Sequence, residues 1–181
     1  MSIRRFKDKS PRLGRSVYID DSAVVIGEVE LGDDVSIWPC TVVRGDVAGI
    51  SIGDGSNIQE GSVLHGTHKG EYTPCGFSVS VGRCVTVGHG ATVHGCTIGD
   101  YSLIGVGAIV MDGVVIEERV MIGAGSLVPP GKILESGYLY VGSPVRKIRA
   151  LKSGEMDFLV YSSQHYIRLK NNYIAAFTDR G

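Results

Sequence analysis

The feature that most constrains this chain is a repeat with a period of six residues. Aliphatic side chains recur at this spacing, and a small or aliphatic residue precedes most of them by two positions, as Ala23 precedes Val25. A chain that buries a residue at every sixth position must also turn at that interval, which limits it to very short strands. The repeated positions, here called anchors, are Ile19, Val25, Leu31, Ile37, Val43, Ile52, Ile58, Leu64, Val81, Val87, Val93, Ile98, Ile104, Val110, Ile116, Ile122 and Val128.

Short strands joined by regular turns are typical of a parallel β-helix with three sides in each coil. Two inward-facing residues spaced two apart fit one strand, because alternate side chains of a strand point to the same face. Glycine often follows the anchor, where the chain must turn. A sandwich of short strands would instead give turn signals about every 8–12 residues. We therefore expect an all-β fold that is built as a parallel β-helix.

The repeat ends at Pro129 and Pro130, and a different pattern follows. From about Ser153 to Phe177, apolar side chains recur at steps of three and four, which predicts one amphipathic helix. We expect its apolar stripe to pack along the β-helix. The chain then divides into a β-helix domain at residues 1–150 and a C-terminal α-helix at residues 151–181.

Composition limits the partners and the location. The formal net charge of −1 gives no basic surface for nucleic acid. No apolar run approaches the ~18 residues of a membrane span, and none follows the charges of the N-terminus as in a signal peptide. We expect a cytoplasmic protein with a small-molecule substrate or a protein partner. Its four cysteines should be reduced and mostly buried, namely Cys40, Cys75, Cys84 and Cys96.

Two breaks interrupt the repeat, at residues 44–51 and 65–80. We interpret both as loops that leave corners of the β-helix. Counting anchors around three sides then places Arg44, His65 and His94 in one column, because each comes one position after an anchor of the same side. Neighbours in such a column lie about 5 Å apart, which is the ordinary spacing between strands.

The stretch GHGATVHG contains two histidines five residues apart, His89 and His94. Neither a helix nor a flat strand brings residues at that spacing to one face, so the two do not share an ion within one regular element. His65 and His94 can share a metal ion through their column. His89 stacks with Glu60 at another corner, on the order of 15 Å away. A neighbouring chain can supply His89 if three β-helices stand parallel about a threefold axis.

Several motifs resemble those of the gamma-class carbonic anhydrases and their bacterial relatives among the hexapeptide-repeat proteins. They are RGD at 44–46, NIQEG at 57–61, VLH at 63–65, GHGATVHG at 88–95 and GSPVRKIR at 142–149. The resemblance covers nearly the whole chain and implies a left-handed parallel β-helix that assembles as a homotrimer. It also implies three metal sites between subunits, each with His65 and His94 of one chain and His89 of the next. The ion would be zinc (Zn2+) or ferrous iron (Fe2+).

The resemblance also implies a reaction and further residues. The activity would be the reversible hydration of carbon dioxide to bicarbonate, by hydroxide formed at the metal near neutral pH. Gln59 would orient the hydroxide or the substrate, and Glu60 would orient His89 as a hydrogen-bond acceptor. Arg44 and Asp46 match a pair that the family forms across its subunit interface, with an electrostatic influence on the site.

Two positions depart from the family pattern. The best-studied gamma enzymes carry acidic residues that pass protons to solvent where this chain has Val47 and His68. His68 fits a proton shuttle and an exposed loop residue equally well. Two other functions therefore stay open. One is a hexapeptide acyltransferase or thioesterase that acts on a coenzyme A thioester, and the other is a weakly active metal-bound scaffold.

Overall fold

The computed structural model describes residues 2–178, and within this range the chain forms twenty short strands followed by one helix. Most strands contain two or three residues, as a turn at every sixth residue requires. The elements are β1 (Ser2–Arg4), β2 (Arg12–Leu13), β3 (Tyr18–Ile19), β4 (Val24–Leu31), β5 (Ser36–Ile37), β6 (Val42–Ile52), β7 (Asn57–Ile58), β8 (Val63–His65), β9 (Val79–Val81), β10 (Thr86–Val87), β11 (Thr92–His94), β12 (Thr97–Ile98), β13 (Leu103–Ile104), β14 (Ile109–Val110), β15 (Val115–Ile116), β16 (Met121–Ile122), β17 (Leu127–Val128), β18 (Ile133–Leu134), β19 (Tyr138–Gly142), β20 (Val145–Ala150) and α1 (Ser153–Thr178).

The strands stack in parallel into a β-helix of about eight turns, which confirms the expected fold. Three faces run along it. The first face contains β3, β5, β7, β10, β13, β16 and β19, and β20 pairs antiparallel with its last strand. The second face contains the start of β6 followed by β8, β11, β14 and β17. The third face contains the end of β6 followed by β9, β12, β15 and β18.

The anchors fill the interior of the β-helix. Every anchor from Val25 to Val128 is at most 3% exposed. Burial of one such side chain stabilises the fold by about 1.5–3 kcal/mol. The register is the expected one, because Leu64 pairs with Val43 on one side and with Val93 on the other. Side chains that follow these anchors therefore stack at the corners.

The prediction of a loop at residues 44–51 is wrong. Val42–Ile52 is a single strand, β6, which continues from the second face to the third and pairs with β4. Gly27 and Gly45 explain the difference, since a Cβ atom on Gly27 would lie 2.4 Å from the carbonyl oxygen of Gly45. This close approach lets the two strands bend together at an irregularity in their register. The second break is a loop, here called the 66–78 loop, between β8 and β9.

Helix α1 packs on the first face, as expected. The indole ring of Trp38 is buried and makes edge-on contacts with Tyr166 and Tyr173, at centroid distances of 5.5 and 5.1 Å. The side chain of Lys170 is fully buried, and its ammonium lies 2.8 Å from the carboxylate of Asp34. Pairing compensates for burial of the lysine charge and fixes the helix along the β-helix.

The helix begins at Ser153, as the sequence predicted. The helix was expected to end near residue 177, and it continues to the last described residue, Thr178. The division at residue 150 stays a prediction, and the outer ends of the two predicted domains, at residues 1 and 179–181, lie outside the described residues.

Within residues 2–178, no helix combines the length and the apolar character that a membrane crossing requires. The cytoplasmic location stays a prediction.

The cysteines differ in part from the expectation. All four are free, but only Cys96 is buried, so the prediction of mostly buried thiols is wrong. Cys96 occupies an inward position of the repeat, two residues before an anchor. Cys40 lies at a corner with a positive φ of 59°, and Cys75 lies in the 66–78 loop, so both are exposed. Cys84 is half-buried.

Candidate metal centre

His65 and His94 lie side by side at the corner between the second and third faces. They are paired residues of β8 and β11, and His65 Nδ1 lies 3.2 Å from His94 Nε2. Two nitrogens that bind one tetrahedral zinc ion at about 2.0–2.1 Å lie about 3.3–3.4 Å from each other. The two rings are therefore already spaced for a shared ion.

Each of these imidazoles has a carboxylate at its other ring nitrogen. His65 Nε2 donates to Asp46 Oδ1 at 3.0 Å, and His94 Nδ1 donates to Asp112 Oδ1 at 2.5 Å. A neutral imidazole that donates from one nitrogen keeps a lone pair on the other. When both rings are neutral and donate to their carboxylates, the remaining lone pairs of His65 and His94 point towards each other, and a cation bound between them would stabilise this arrangement.

Burial of His65 favours its neutral form. Burial lowers the pKa of His65, and the positive charge of Arg44 adds to this effect, whereas the hydrogen bond to Asp46 opposes it. Burial alone would raise the pKa of Asp46, but hydrogen bonds from Arg44 and His65 outweigh it and lower that pKa. A neutral imidazole beside an ionised carboxylate is the state in which a histidine binds a metal.

Arg44 and Asp46 meet within one chain. Arg44 Nη1 donates to Asp46 Oδ2 at 2.6 Å, because residues two apart on the extended strand β6 project to the same side. The pair therefore forms without a neighbouring chain, and Asp46 links it to His65. The role of Arg44 and Asp46 at a subunit interface stays a prediction.

His89 lies at the other end of the second face, at its corner with the first face. Its Nδ1 and Glu60 Oε2 are 2.6 Å apart, so the predicted column of Glu60 and His89 is present. The side chain of His89 is 50% exposed. Within residues 2–178, no three His, Cys, Asp or Glu side chains are grouped so that they could hold a metal ion. A three-histidine site is therefore not complete within a single chain.

Gln59 and His68 occupy different surroundings. Gln59 is only 5% exposed, and its side-chain amide donates to Asn57 Oδ1 at 3.1 Å, which places it beside the corner of His89 and Glu60. His68 is exposed in the 66–78 loop, where it lines an open cavity of about 550 Å³ together with Val47. The proposed roles of Gln59 and His68 stay predictions.

Asp112 is a site residue that sequence reasoning missed. It reaches His94 because Gly95 leaves room for it: a Cβ atom on Gly95 would lie 2.3 Å from Asp112 Oδ1. The signal was present in the repeat. The anchor Val93 pairs with Val110 in the next coil, which places Asp112 diagonally beside His94. Counting one further coil would have found it.

Comparisons with known proteins place this chain among the hexapeptide-repeat proteins. The model of the family "Bacterial transferase hexapeptide (six repeats)" matches residues 10–45 and 95–130. Protein YrdA of Escherichia coli K12 is 54% identical over 95% of this chain and 94% of its own length. The mitochondrial Gamma carbonic anhydrase 2 of Arabidopsis thaliana is 41% identical over 90% of this chain, which spans 58% of that protein. A Bacillus cereus crystal structure described as a putative acetyltransferase has a TM-score of 0.90 at 35% identity, with coverage of 97% of this chain and 98% of that one.

The fold and the repeat define a hexapeptide-repeat β-helix protein. Relatives that are 54% and 41% identical to it cover 95% and 90% of the chain. The chain therefore belongs to the gamma carbonic anhydrase-like family of hexapeptide-repeat proteins. The names of its relatives include both carbonic anhydrase and acetyltransferase. The choice between these activities rests on the chemistry of the site.

Proposed function

We propose that this protein is a metal-dependent enzyme that hydrates carbon dioxide reversibly to bicarbonate. The observation that carries the proposal is the pair of facing nitrogens on His65 and His94, each backed by a carboxylate. In their neutral form these imidazoles fit zinc or ferrous iron, which both accept such ligands. An ion held by three imidazoles lowers the pKa of the water that it coordinates to about 7, which is the chemistry that hydration of carbon dioxide needs.

Three carboxylates of the chain would hold the imidazoles in place. Asp46 and Asp112 each accept a hydrogen bond from one of the two facing histidines. Glu60 does the same for His89, and its carboxylate lies 2.6 Å from Nδ1. In each case the opposite nitrogen is left to bind an ion, so the three acidic residues select the tautomer that a metal requires.

Two further residues would act on the substrate and on protons. Gln59 lies beside the corner that carries His89, and in an assembled site its side-chain amide would orient the substrate. His68 lines the open cavity of the 66–78 loop, where it is accessible to solvent. An imidazole in such a position can pass the proton released by hydration to buffer.

The third ligand is proposed to come from a neighbouring chain in a homotrimer. His89 lies at one edge of the second face, and the two facing histidines lie at the other edge. In a trimer with a threefold axis, the His89 corner of one chain can meet the corner with His65 and His94 of the next chain. This requires that the second face of each chain points towards the axis. The outward side chains of Val63 and Ile109 on this face are apolar, and each is 40% exposed. Apolar side chains of this kind are suited to burial in an assembly.

A second candidate function is acyl transfer or thioester hydrolysis on a coenzyme A thioester. The description of the similar Bacillus cereus structure as a putative acetyltransferase favours it. That chemistry uses one histidine as a general base and needs no metal. A general base also needs no second imidazole 3.2 Å away, which is why the pair of His65 and His94 favours the metal-dependent reaction.

Metal analysis and a hydration assay distinguish these functions. The protein is purified anaerobically, loaded with zinc or with ferrous iron, and compared with His94→Ala. One ion per chain with hydration well above that of the variant supports the proposal. Failure to bind either ion, together with transfer from acetyl-coenzyme A, supports the second function. One ion per chain without measurable turnover supports a metal-bound scaffold.

A further inference from the structure

We propose that Asp112 is a positioning residue for His94 and that Thr67, at the base of the 66–78 loop, sets the orientation of Asp112. The inference rests on the proposed metal site. It adds that the 66–78 loop affects how tightly the site binds its metal, although the loop contributes no imidazole to the ligand set.

Asp112 uses both of its carboxylate oxygens. Oδ1 accepts a hydrogen bond from His94 Nδ1 at 2.5 Å, and Oδ2 accepts one from Thr67 Oγ1 at 2.7 Å. The side chains of Asp112 and His94 are only 26% and 30% exposed, so most of their surroundings are protein. A carboxylate that is held at both oxygens cannot rotate about its Cβ–Cγ bond without losing one partner. Thr67 therefore fixes the plane in which Asp112 meets the imidazole.

Thr67 is itself held by the base of the loop. Its backbone exchanges two hydrogen bonds with Phe77, at 2.8 and 2.9 Å, and these close the loop beside β8 and β9. Phe77 packs against the turn that follows His94, since a Cβ atom on Gly95 would lie 2.7 Å from the Cβ of Phe77. The base of the loop and the turn beside the metal ligand thus form one packed unit.

A continuous series of contacts runs from the loop through Thr67 and Asp112 to His94. Hydrogen-bond partners that orient a metal-binding histidine typically change metal affinity by about 10–100-fold. The loop therefore takes part in the metal site, because the hydroxyl of Thr67 at its base orients His94 through Asp112. An alternative in which Thr67 only closes the loop would leave metal affinity unchanged when its hydroxyl is removed.

The test measures zinc affinity of the full-length protein by competition with a chelator, and the visible spectrum of the cobalt(II)-loaded protein. Asp112→Ala should weaken zinc binding about 10–100-fold and change the cobalt spectrum. Asp112→Asn, which keeps an acceptor oxygen, should weaken it less. Thr67→Val should weaken zinc binding by a smaller factor, up to about tenfold, and Thr67→Ser should restore it.

Thr73→Val is the matched control. Thr73 lies in the same loop and donates to the carbonyl oxygen of His68 at 2.8 Å, so the variant also loses one hydroxyl hydrogen bond. It does not touch Asp112, and its zinc affinity should equal that of the wild type. Equal weakening by Thr73→Val and Thr67→Val would overturn the proposal, because loss of loop stability would then explain both.

A double variant tests whether Thr67 acts through Asp112. Thr67→Val should cause no further weakening when Asp112 is already alanine, because the contact that it removes is absent. The same loss in both backgrounds would contradict the series of contacts. If Asp112→Ala fails to fold, Asp112→Asn is compared with the wild type alone, because its remaining acceptor oxygen can still bind Thr67 and so cannot serve in the double variant. Unchanged affinity in every Asp112 variant would overturn the inference alone, whereas a wild type that binds neither zinc nor ferrous iron would overturn the proposed function with it.

Discussion

His65 Nδ1 and His94 Nε2 face each other across 3.2 Å although 29 residues separate them in the chain. A coil of three ordinary sides separates paired residues by 18 positions, as in the pair Val25 and Val43. The coil between the two histidines is longer because it contains the 66–78 loop. The loop extends this coil without shifting the register, so the repeat returns His94 to the position beside His65.

The three histidines should be required for metal binding and His68 should not. His65→Ala, His89→Ala and His94→Ala each remove one proposed ligand, and we expect each to bind far less than one ion per chain. His68→Ala should keep its full metal content and at most slow proton transfer, which makes it the control. Elemental analysis of the purified variants checks this. Full metal content in His89→Ala, with loss in His68→Ala, would identify a different ligand set.

A charge on the second face should disrupt the assembly. Ile109→Asp places a carboxylate where the proposed trimer buries an apolar side chain, and burial of an unpaired charge is strongly unfavourable. Val115→Asp is the matched control, because Val115 is 39% exposed and Ile109 is 40% exposed but Val115 lies on the third face. Sedimentation should show dissociation of Ile109→Asp and an intact assembly of Val115→Asp. The reverse result would place the interface on another face.

Gly95→Ala should weaken metal binding through Asp112. Gly95 has a φ of 52°, and its added Cβ atom would also collide with Asp112 Oδ1. Gly125 has a φ of 64° and open space around it, so Gly125→Ala introduces backbone strain alone. Each variant should lose about 1–2 kcal/mol of stability from the left-handed backbone. Gly95→Ala should lose more, because its Cβ atom would also lie 2.7 Å from the Cβ of Phe77. Only Gly95→Ala should also lose zinc affinity, and equal affinity in the two variants would contradict the role of this turn.

The start of helix α1 should contribute a pH-dependent part of the stability. Hydrogen bonds from Arg149, and from the backbone N–H of Lys152, lower the pKa of Glu155 from 4.5 to about 2. Because the pKa in the folded state is the lower one, the stabilisation is complete above about pH 4.5 and is lost as the pH falls towards 2. The difference in Tm between the wild type and Glu155→Gln should therefore shrink over this window. A difference that is constant with pH would show that Glu155 stabilises the helix without its charge.

The fold could be predicted where burial and the repeat coincide. Each anchor, such as Leu64, is determined by the local pattern and then stacks on its equivalent in the next coil. The strand across residues 44–51 could not be predicted in this way. It depends on the close approach of Gly27 and Gly45, which are neighbours only after the chain has folded.

The same distinction applies to the candidate site, where some residues follow from the repeat and others depend on packing. The pair of His65 and His94 follows from counting anchors, because both belong to one column. Asp112 lies outside that column, and its contact with His94 depends on the space that Gly95 leaves and on the direction of two side chains. Such details follow from packing, and the period of the repeat does not specify them.

The most direct test of the central claim, that the metal sites lie between chains, is complementation between His89→Ala and His94→Ala. Neither variant alone should bind metal well. After the two are unfolded together in equal amounts and refolded, a complete site needs a His89→Ala chain that supplies His65 and His94 beside a His94→Ala chain that supplies His89. Random assembly of trimers gives this arrangement at about one site in four. We predict that metal content and hydration activity both rise to about that fraction of the wild type, in trimers shown by mass spectrometry to contain both chains. Mixed trimers that bind no more metal than either parent would contradict the interfacial site.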